Sequence, residues 1–145
     1  MVAARSFVDT NVLVYAHDLA ETAKRPVARA ALEVLWDERT GTLSTQVLQE
    51  FYVVATRRLD PPVSRAEARQ VMNAYSAWPV VVLDPSLILS ATLLEEEHGI
   101  SFWDALIVEA ARVAGADRIL TEDMQSGRRL VGIEIVNPFA TVPDG

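Results

Sequence analysis

Short β-rich runs alternate along the chain with longer segments whose apolar residues recur every three or four positions, with no Gly/Ser-rich linker, low-complexity tract or internal repeat between them. The first apolar run, Arg5 to Val8, ends at Asp9 and leads into a helix from about Asn11. A second helix is predicted to open at Pro26 and to bury Val27, Ala30, Ala31, Val34 and Leu35 at helical spacing. Gly41 to Leu43 reads as the second strand. Ser44 or Thr45 can cap the helix that follows, whose apolar face is Val47, Leu48, Phe51, Val54 and Ala55 with Glu50 at its margin.

After the Pro61-Pro62 break, Ser64 and Glu67 form a capping box ahead of Ala68, Val71, Met72 and Tyr75. Val80 to Leu83 reads as a buried strand. Asp84 as N-cap, Pro85 at the first helical position and Gly99 just past the end bracket the next helix. Ser101 caps another, predicted to bury Trp103, Leu106, Ile107, Ala110 and Ala114, and Arg118 to Leu120 and Ile133 to Val136 supply the last strands. About five strands joined by crossover helices give an α/β fold with a central parallel sheet flanked by helices, expected as one domain over residues 1–145.

In open parallel sheets, ligands bind beyond the carboxyl ends of the strands, which directs attention to the residues just after each one. Asp9 follows the first strand, Glu50 lies on the helix after the second, and Asp123 follows the fourth, so three carboxylates are expected at one edge. Asp104 opens a helix whose N-terminus can point the same way.

Composition narrows the chemistry. Half the residues are hydrophobic and 23% are charged, a globular balance. The N-terminal MVAARSFVDTNVLVY is interrupted by Asp9 and Asn11, unlike a secretory leader, and no stretch approaches a membrane span, so a cytoplasmic address is expected. Cysteine is absent, which leaves any metal to oxygen or imidazole ligands. The net charge of −7 runs against a nucleic-acid partner, although bound cations would cancel part of it and arginines are paired at Arg57-Arg58 and Arg128-Arg129.

Ionised carboxylates gathered in a small site must take up protons or bind a cation. Magnesium and manganese suit such a donor set, and one or two ions can acidify a water and stabilise the leaving oxygen of a phosphodiester. Side-chain nucleophiles are poorly supported: there is no Cys, only His17 and His98, and no G-x-S-x-G elbow.

FVDTNVLVY, the Glu50 of STQVLQEF, SFWDALIV and ILTEDMQSG resemble, in that order and over nearly the whole chain, the motifs of PIN-domain nucleases. Within them, the compact length, the D-T-N-V start, F-W-D-A-L-I and T-E-D look most like VapC toxins of bacterial toxin–antitoxin pairs. The resemblance implies a PIN-like three-layer fold and an endoribonuclease using magnesium or manganese. It also implies toxicity through RNA cleavage, homodimerisation and inhibition by a cognate VapB-type antitoxin. It makes Asp9, Glu50, Asp104 and Asp123 the catalytic, metal-holding quartet, with Thr10, Asn11 and Thr121 as supporting polar residues and Glu122 peripheral. The paired arginines Arg57, Arg58, Arg128 and Arg129 are the candidate RNA contacts.

Each acid also fits an ordinary role. Asp9 can be an Asx turn or cap, Asp104 can close a capping box with Ser101, Asp123 can be a turn residue before Gly127, and Glu50 can snorkel to solvent. Three other functions compete: a PIN-like RNA- or protein-binding module without turnover, a housekeeping RNA-processing nuclease, and a haloacid-dehalogenase-type phosphatase. The phosphatase requires D-x-D, where this chain has Asn11 in the third place. The three tryptophans read as core or interface residues, and Glu95-Glu96-Glu97 as solvated helix surface.

Overall fold

The computed structural model describes residues 4–143; residues 1–3, the start of the stretch weighed as a leader, and residues 144–145 lie outside it. In chain order the elements are β1 (Ser6–Val8), α1 (Thr10–Tyr15), α2 (Lys24–Glu38), β2 (Gly41–Ser44), α3 (Thr45–Arg57), α4 (Arg65–Tyr75), β3 (Val80–Val81), α5 (Pro85–His98), α6 (Phe102–Val113), β4 (Arg118–Leu120), β5 (Arg129–Leu130) and β6 (Ile133–Val136). They build one sheet in the order β3-β2-β1-β4-β6-β5. The first five of those strands run parallel, and β5 pairs antiparallel with β6. The α/β expectation holds. The sixth strand escapes sequence reading because two residues are too few to show a period.

β1 is buried on both faces, as a central parallel strand must be: Ser6, Phe7 and Val8 are all inaccessible to solvent. Its neighbours are β2, reached by the α2 crossover, and β4, reached only after α6. Strand order therefore reverses direction between β1 and β4, the place where open α/β sheets offer a crevice. The helices pack as two groups, α1 to α4 and α5 with α6, against the sheet.

Local punctuation explains most boundaries. Asp84 Oδ1 accepts from Leu87 N, Pro85 opens α5, and Gly99 closes it in the left-handed region at φ 64°. Ser44, Ser64 and Ser101 each accept, through the side-chain oxygen, the backbone N–H three residues on.

Four expectations need correction. α2 opens at Lys24, two residues before Pro26, and its buried face is Ala28, Leu32 and Leu35; Ala30 and Val34 are exposed, and Val27 and Ala31 only partly covered. Apolar residues cover much of the circumference of this helix, so spacing alone does not select the stripe that meets the core. The strand expected over Val80–Leu83 shrinks to Val80–Val81 at the sheet edge, both half-buried, and Val82 is 66% exposed. Trp103 is likewise 66% exposed, because α6 turns Leu106, Ile107 and Ala110 inward and carries Trp103 at its outer first turn. Ala114, placed in the same buried face, caps α6 and is only partly covered.

Candidate active site

At the reversal point, Asp9 ends β1 and caps α1. Its backbone is extended (φ −78°, ψ 160°), and its Oδ1 accepts from Thr10 N at 2.7 Å. Across the β1–β4 pairing, the hydroxyl of Thr121 donates to Asp9 Oδ2 at 2.8 Å. The hydroxyl oxygen of Thr121 in turn accepts from Asn11 Nδ2 and from Asp123 N, each at 3.1 Å. Asn11 Nδ2 also donates to Asp123 Oδ2 at 3.1 Å, and Asn11 Oδ1 accepts from Glu122 N at 3.1 Å. Thr121 is thus fully satisfied, with one donated bond and two accepted ones. Asn11 and Thr121 orient carboxylates, as polar supporting residues should. Thr10 contributes its backbone N–H, while its buried hydroxyl oxygen has no partner.

The other two acids come from helices. Asp104, half-buried in the first turn of α6, donates its backbone N–H to Ser101 Oγ at 3.0 Å. Glu50, on α3, is exposed at the margin of the apolar face. Electrostatics ties the four together. Burial raises the Asp9 carboxyl to about 7; the bonds from Thr121 and Thr10 oppose this, and the charges of Asp123 and Glu50 add to it. Partial desolvation also raises Glu50, against the Gln46 side chain and with Asp123 and Asp104 adding. Asp104 is raised by desolvation, lowered by Ser101 and raised by Asp123. Asp123 therefore acts on all three other acids. Among the described residues, no three acidic or histidine side chains already form a closed ligand cage.

The donor set is made of hard carboxylate oxygens, suited to a divalent cation that keeps some of its waters. Two buried oxygens without partners belong to the same neighbourhood, Thr10 Oγ1 next to Asp9 and Gln46 Oε1 one turn before Glu50. The residues present fit such an ion. Gln46 was not singled out by sequence reasoning, although a polar side chain four residues from Glu50 on a buried helix face was a usable signal.

Glu122 is peripheral to the acids but not idle. Its Oε1 accepts from Tyr15 Oη at 2.6 Å and its Oε2 pairs with Lys24 Nζ at 2.7 Å, while Lys24 sits 5.0 Å from the centre of the Tyr15 ring. Desolvation pushes the Glu122 carboxyl up, yet Lys24 and Tyr15 together hold it below its ordinary value. This clamp fastens the segment bearing Thr121 and Asp123 to the end of α1 and the start of α2. No spacing in the sequence announced it.

The candidate arginines part company. Arg57 and Arg58 are exposed at the end of α3, where Arg58 shares a shallow hollow with Glu50. Arg128 lies with Asp104 and Asp123 around another hollow, whereas Arg129 pairs with Glu134 at 3.5 Å on the outer strands. His17 packs edge-on against Phe51 and is lowered by burial, and His98 ends α5; neither joins the acids. Trp36 and Trp78 form an aromatic cluster with Tyr75.

Comparison with known proteins identifies the family. The family model of the PIN domain matches residues 6–128. Ribonuclease VapC7 of Mycobacterium tuberculosis is 32% identical over 117 residues, 80% of each chain. Among solved structures, a toxin–antitoxin complex from Klebsiella pneumoniae superposes with a TM-score of 0.65 at 20% identity, covering 92% of this chain and 97% of that one. VapC20 of Mycobacterium tuberculosis, described as a sarcin-ricin loop cleaving toxin, gives a TM-score of 0.62 at 21% identity, covering 81% and 89%. With its motifs matched over most of its length and its acids gathered where the fold places a crevice, the chain belongs to the PIN-domain family, among the VapC-type ribonucleases.

Proposed function

We propose that this protein is the toxin of a VapBC-type toxin–antitoxin pair, an endoribonuclease that hydrolyses RNA phosphodiester bonds with Asp9, Glu50, Asp104 and Asp123 as ligands of one or two magnesium or manganese ions. The observation that carries the reading is the convergence of four carboxylates from β1, α3, α6 and the segment after β4 on one electrostatic neighbourhood, with Asp9 raised to about 7. Carboxylates held back from their charged form by burial first, and by one another's charge in addition, are what a divalent ion would relieve. When bound, the ion supplies an acidified water and positive charge for the leaving oxygen.

The chain's own residues prepare that chemistry. Thr121 fixes the Asp9 carboxylate by donating to it, and Asn11 fixes Asp123 by donating to it. The backbone N–H of Thr10 holds the second Asp9 oxygen. Burial around Asp9 excludes water from its inner side and strengthens each of these bonds. Arg57, Arg58, Arg128 and Arg129 are the candidate grip on the RNA backbone, in a chain whose overall charge of −7 opposes that binding.

The reading extends to one PIN domain over residues 1–145, a homodimer, a cytoplasmic address and a VapB-type antitoxin partner. It draws support for the antitoxin from the toxin–antitoxin complex among the fold's neighbours. Among the described residues, no helix is long and apolar enough to cross a membrane. The test is cleavage of structured and single-stranded RNA by the purified protein with magnesium, with manganese or with EDTA, beside Asp9→Asn. Metal-dependent cleavage lost in the variant is the expected result. Activity surviving both chelation and the substitution overturns the mechanism, and tight RNA binding without cleavage in any metal marks a binding module instead.

A further inference from the structure

Gln46 is the second residue of α3, where that helix leaves the carboxyl end of β2, and it is only 6% exposed. A side-chain amide has two donor hydrogens and an acceptor oxygen, and a buried one is ordinarily satisfied on both sides. Gln46 is not. Its Nε2 donates to the carbonyl of Trp103 at 3.4 Å, and its buried Oε1 has no partner among the described residues. Leucine or methionine would fill a similar space without stranding an oxygen, so packing does not account for an amide at this position. Departures of this kind from core rules are expected where a side chain serves a functional site.

The groups that the amide nitrogen reaches do account for it. The Trp103 carbonyl belongs to the first turn of α6, one residue before Asp104. Glu50 lies four residues along α3 from Gln46, the spacing at which side chains of one helix meet. Burial raises the Glu50 carboxyl, and the Gln46 amide opposes it as a hydrogen-bond donor, while the charge of Asp104 adds to the rise. The two helices therefore bring like charges toward each other at the place where Gln46 links them. With two hydrogens on one nitrogen, Gln46 can serve the Trp103 carbonyl and the Glu50 carboxylate together.

We infer that Gln46 is a positioning residue: its amide nitrogen ties Glu50 to the first turn of α6 and thereby fixes the spacing between the Glu50 and Asp104 carboxylates. The inference rests on the reading of those two acids as ligands of a divalent ion. Hydrogen-bond partners that orient metal-binding side chains are commonly worth ten- to a hundredfold in affinity.

Two measurements on the full chain test it, both with Gln46→Met, which keeps the length of the side chain and removes its donors. In the first, manganese binding at pH 8 is followed by electron paramagnetic resonance. The variant should bind about tenfold more weakly than wild type, with its urea midpoint in EDTA unchanged or higher. In the second, made without metal, the carbonyl carbon of Trp103 and the carboxyl carbon of Glu50 should both shift by NMR in the variant, with the Glu122 carboxyl as the unmoved control. Unchanged manganese affinity overturns the positioning role. So does weaker binding matched by a fall in the urea midpoint, which marks a packing residue, and so do unmoved Trp103 and Glu50 resonances. If wild type binds no manganese while both resonances shift as stated, the metal reading of the acids fails and the tie between the helices stands.

Discussion

Replacing Asp9 by asparagine in the metal-free protein isolates the energetic cost of assembling the acidic site. A carboxyl moved from 3.8 to about 7 on folding costs the folded state on the order of 4 kcal/mol at pH 8, where both states are ionised. Between those two values the folded chain keeps a proton that the unfolded chain releases. The wild type is therefore most stable with respect to this group below about pH 4, loses stability as pH rises to about 7, and then levels off. Asparagine does not titrate.

One hydrogen bond works against the variant. With its oxygen kept by Thr10 N, the new amide nitrogen faces a Thr121 oxygen that already accepts from Asn11 and Asp123, and the Thr121 proton loses its acceptor. That mismatch costs about 1 kcal/mol. Asp9→Asn should thus be more stable than wild type by about 3 kcal/mol at pH 8, and slightly less stable near pH 4. Urea unfolding in EDTA across that range measures the difference. A difference that does not change with pH, or a variant less stable than wild type at pH 8, refutes the account of Asp9 as a buried carboxyl held against its own charge.

Other consequences are open to simple tests. With magnesium present, kcat/KM should climb with pH toward a plateau above about 7, because a proton on Asp9 competes with the ion; a flat profile from pH 5.5 to 8.5 would contradict this. Glu122→Gln should cost about 1–2 kcal/mol in unfolding experiments by weakening its bonds to Tyr15 and Lys24. It should also weaken manganese binding several-fold by calorimetry, and an unchanged affinity would separate the clamp from Asp123. Gly41→Ala should destabilise by about 1–3 kcal/mol, since its Cβ would stand 2.5 Å from two carbons of the Trp78 ring. Trp78→Leu in the same chain should recover part of that loss.

The sequence made some of this legible and hid the rest, for reasons that differ by element. α5 was readable to the residue because Asp84, Pro85 and Gly99 act through local backbone chemistry, independent of what the helix packs on. Asp9, Glu50 and Asp123 were placeable at one edge because strand ends in a parallel sheet share a direction. The buried face of α2 was misread because Val27, Ala28, Ala30, Ala31, Leu32, Val34 and Leu35 spread over most of the helix circumference, and spacing alone does not pick out Ala28, Leu32 and Leu35. Trp103 was misread because a large apolar side chain in a first turn is not bound to the face that Leu106 and Ile107 define. The Tyr15–Glu122–Lys24 clamp joins residues more than 100 positions apart in part, and only tertiary structure creates it.

The stitch between Asp9 and Thr121 spans 112 residues of chain, and this sets a timetable for synthesis. A growing chain that has made β1, both crossovers and most of α6 still lacks the strand that carries Thr121 and Asp123 to the first acid. Translation at about 5–20 residues per second leaves that interval at several seconds or more. Asp9 then waits without its hydroxyl donor and without Asp123, so a nascent or prematurely terminated chain holds only part of the proposed acidic site. The proposed site is complete only once β4 docks beside β1.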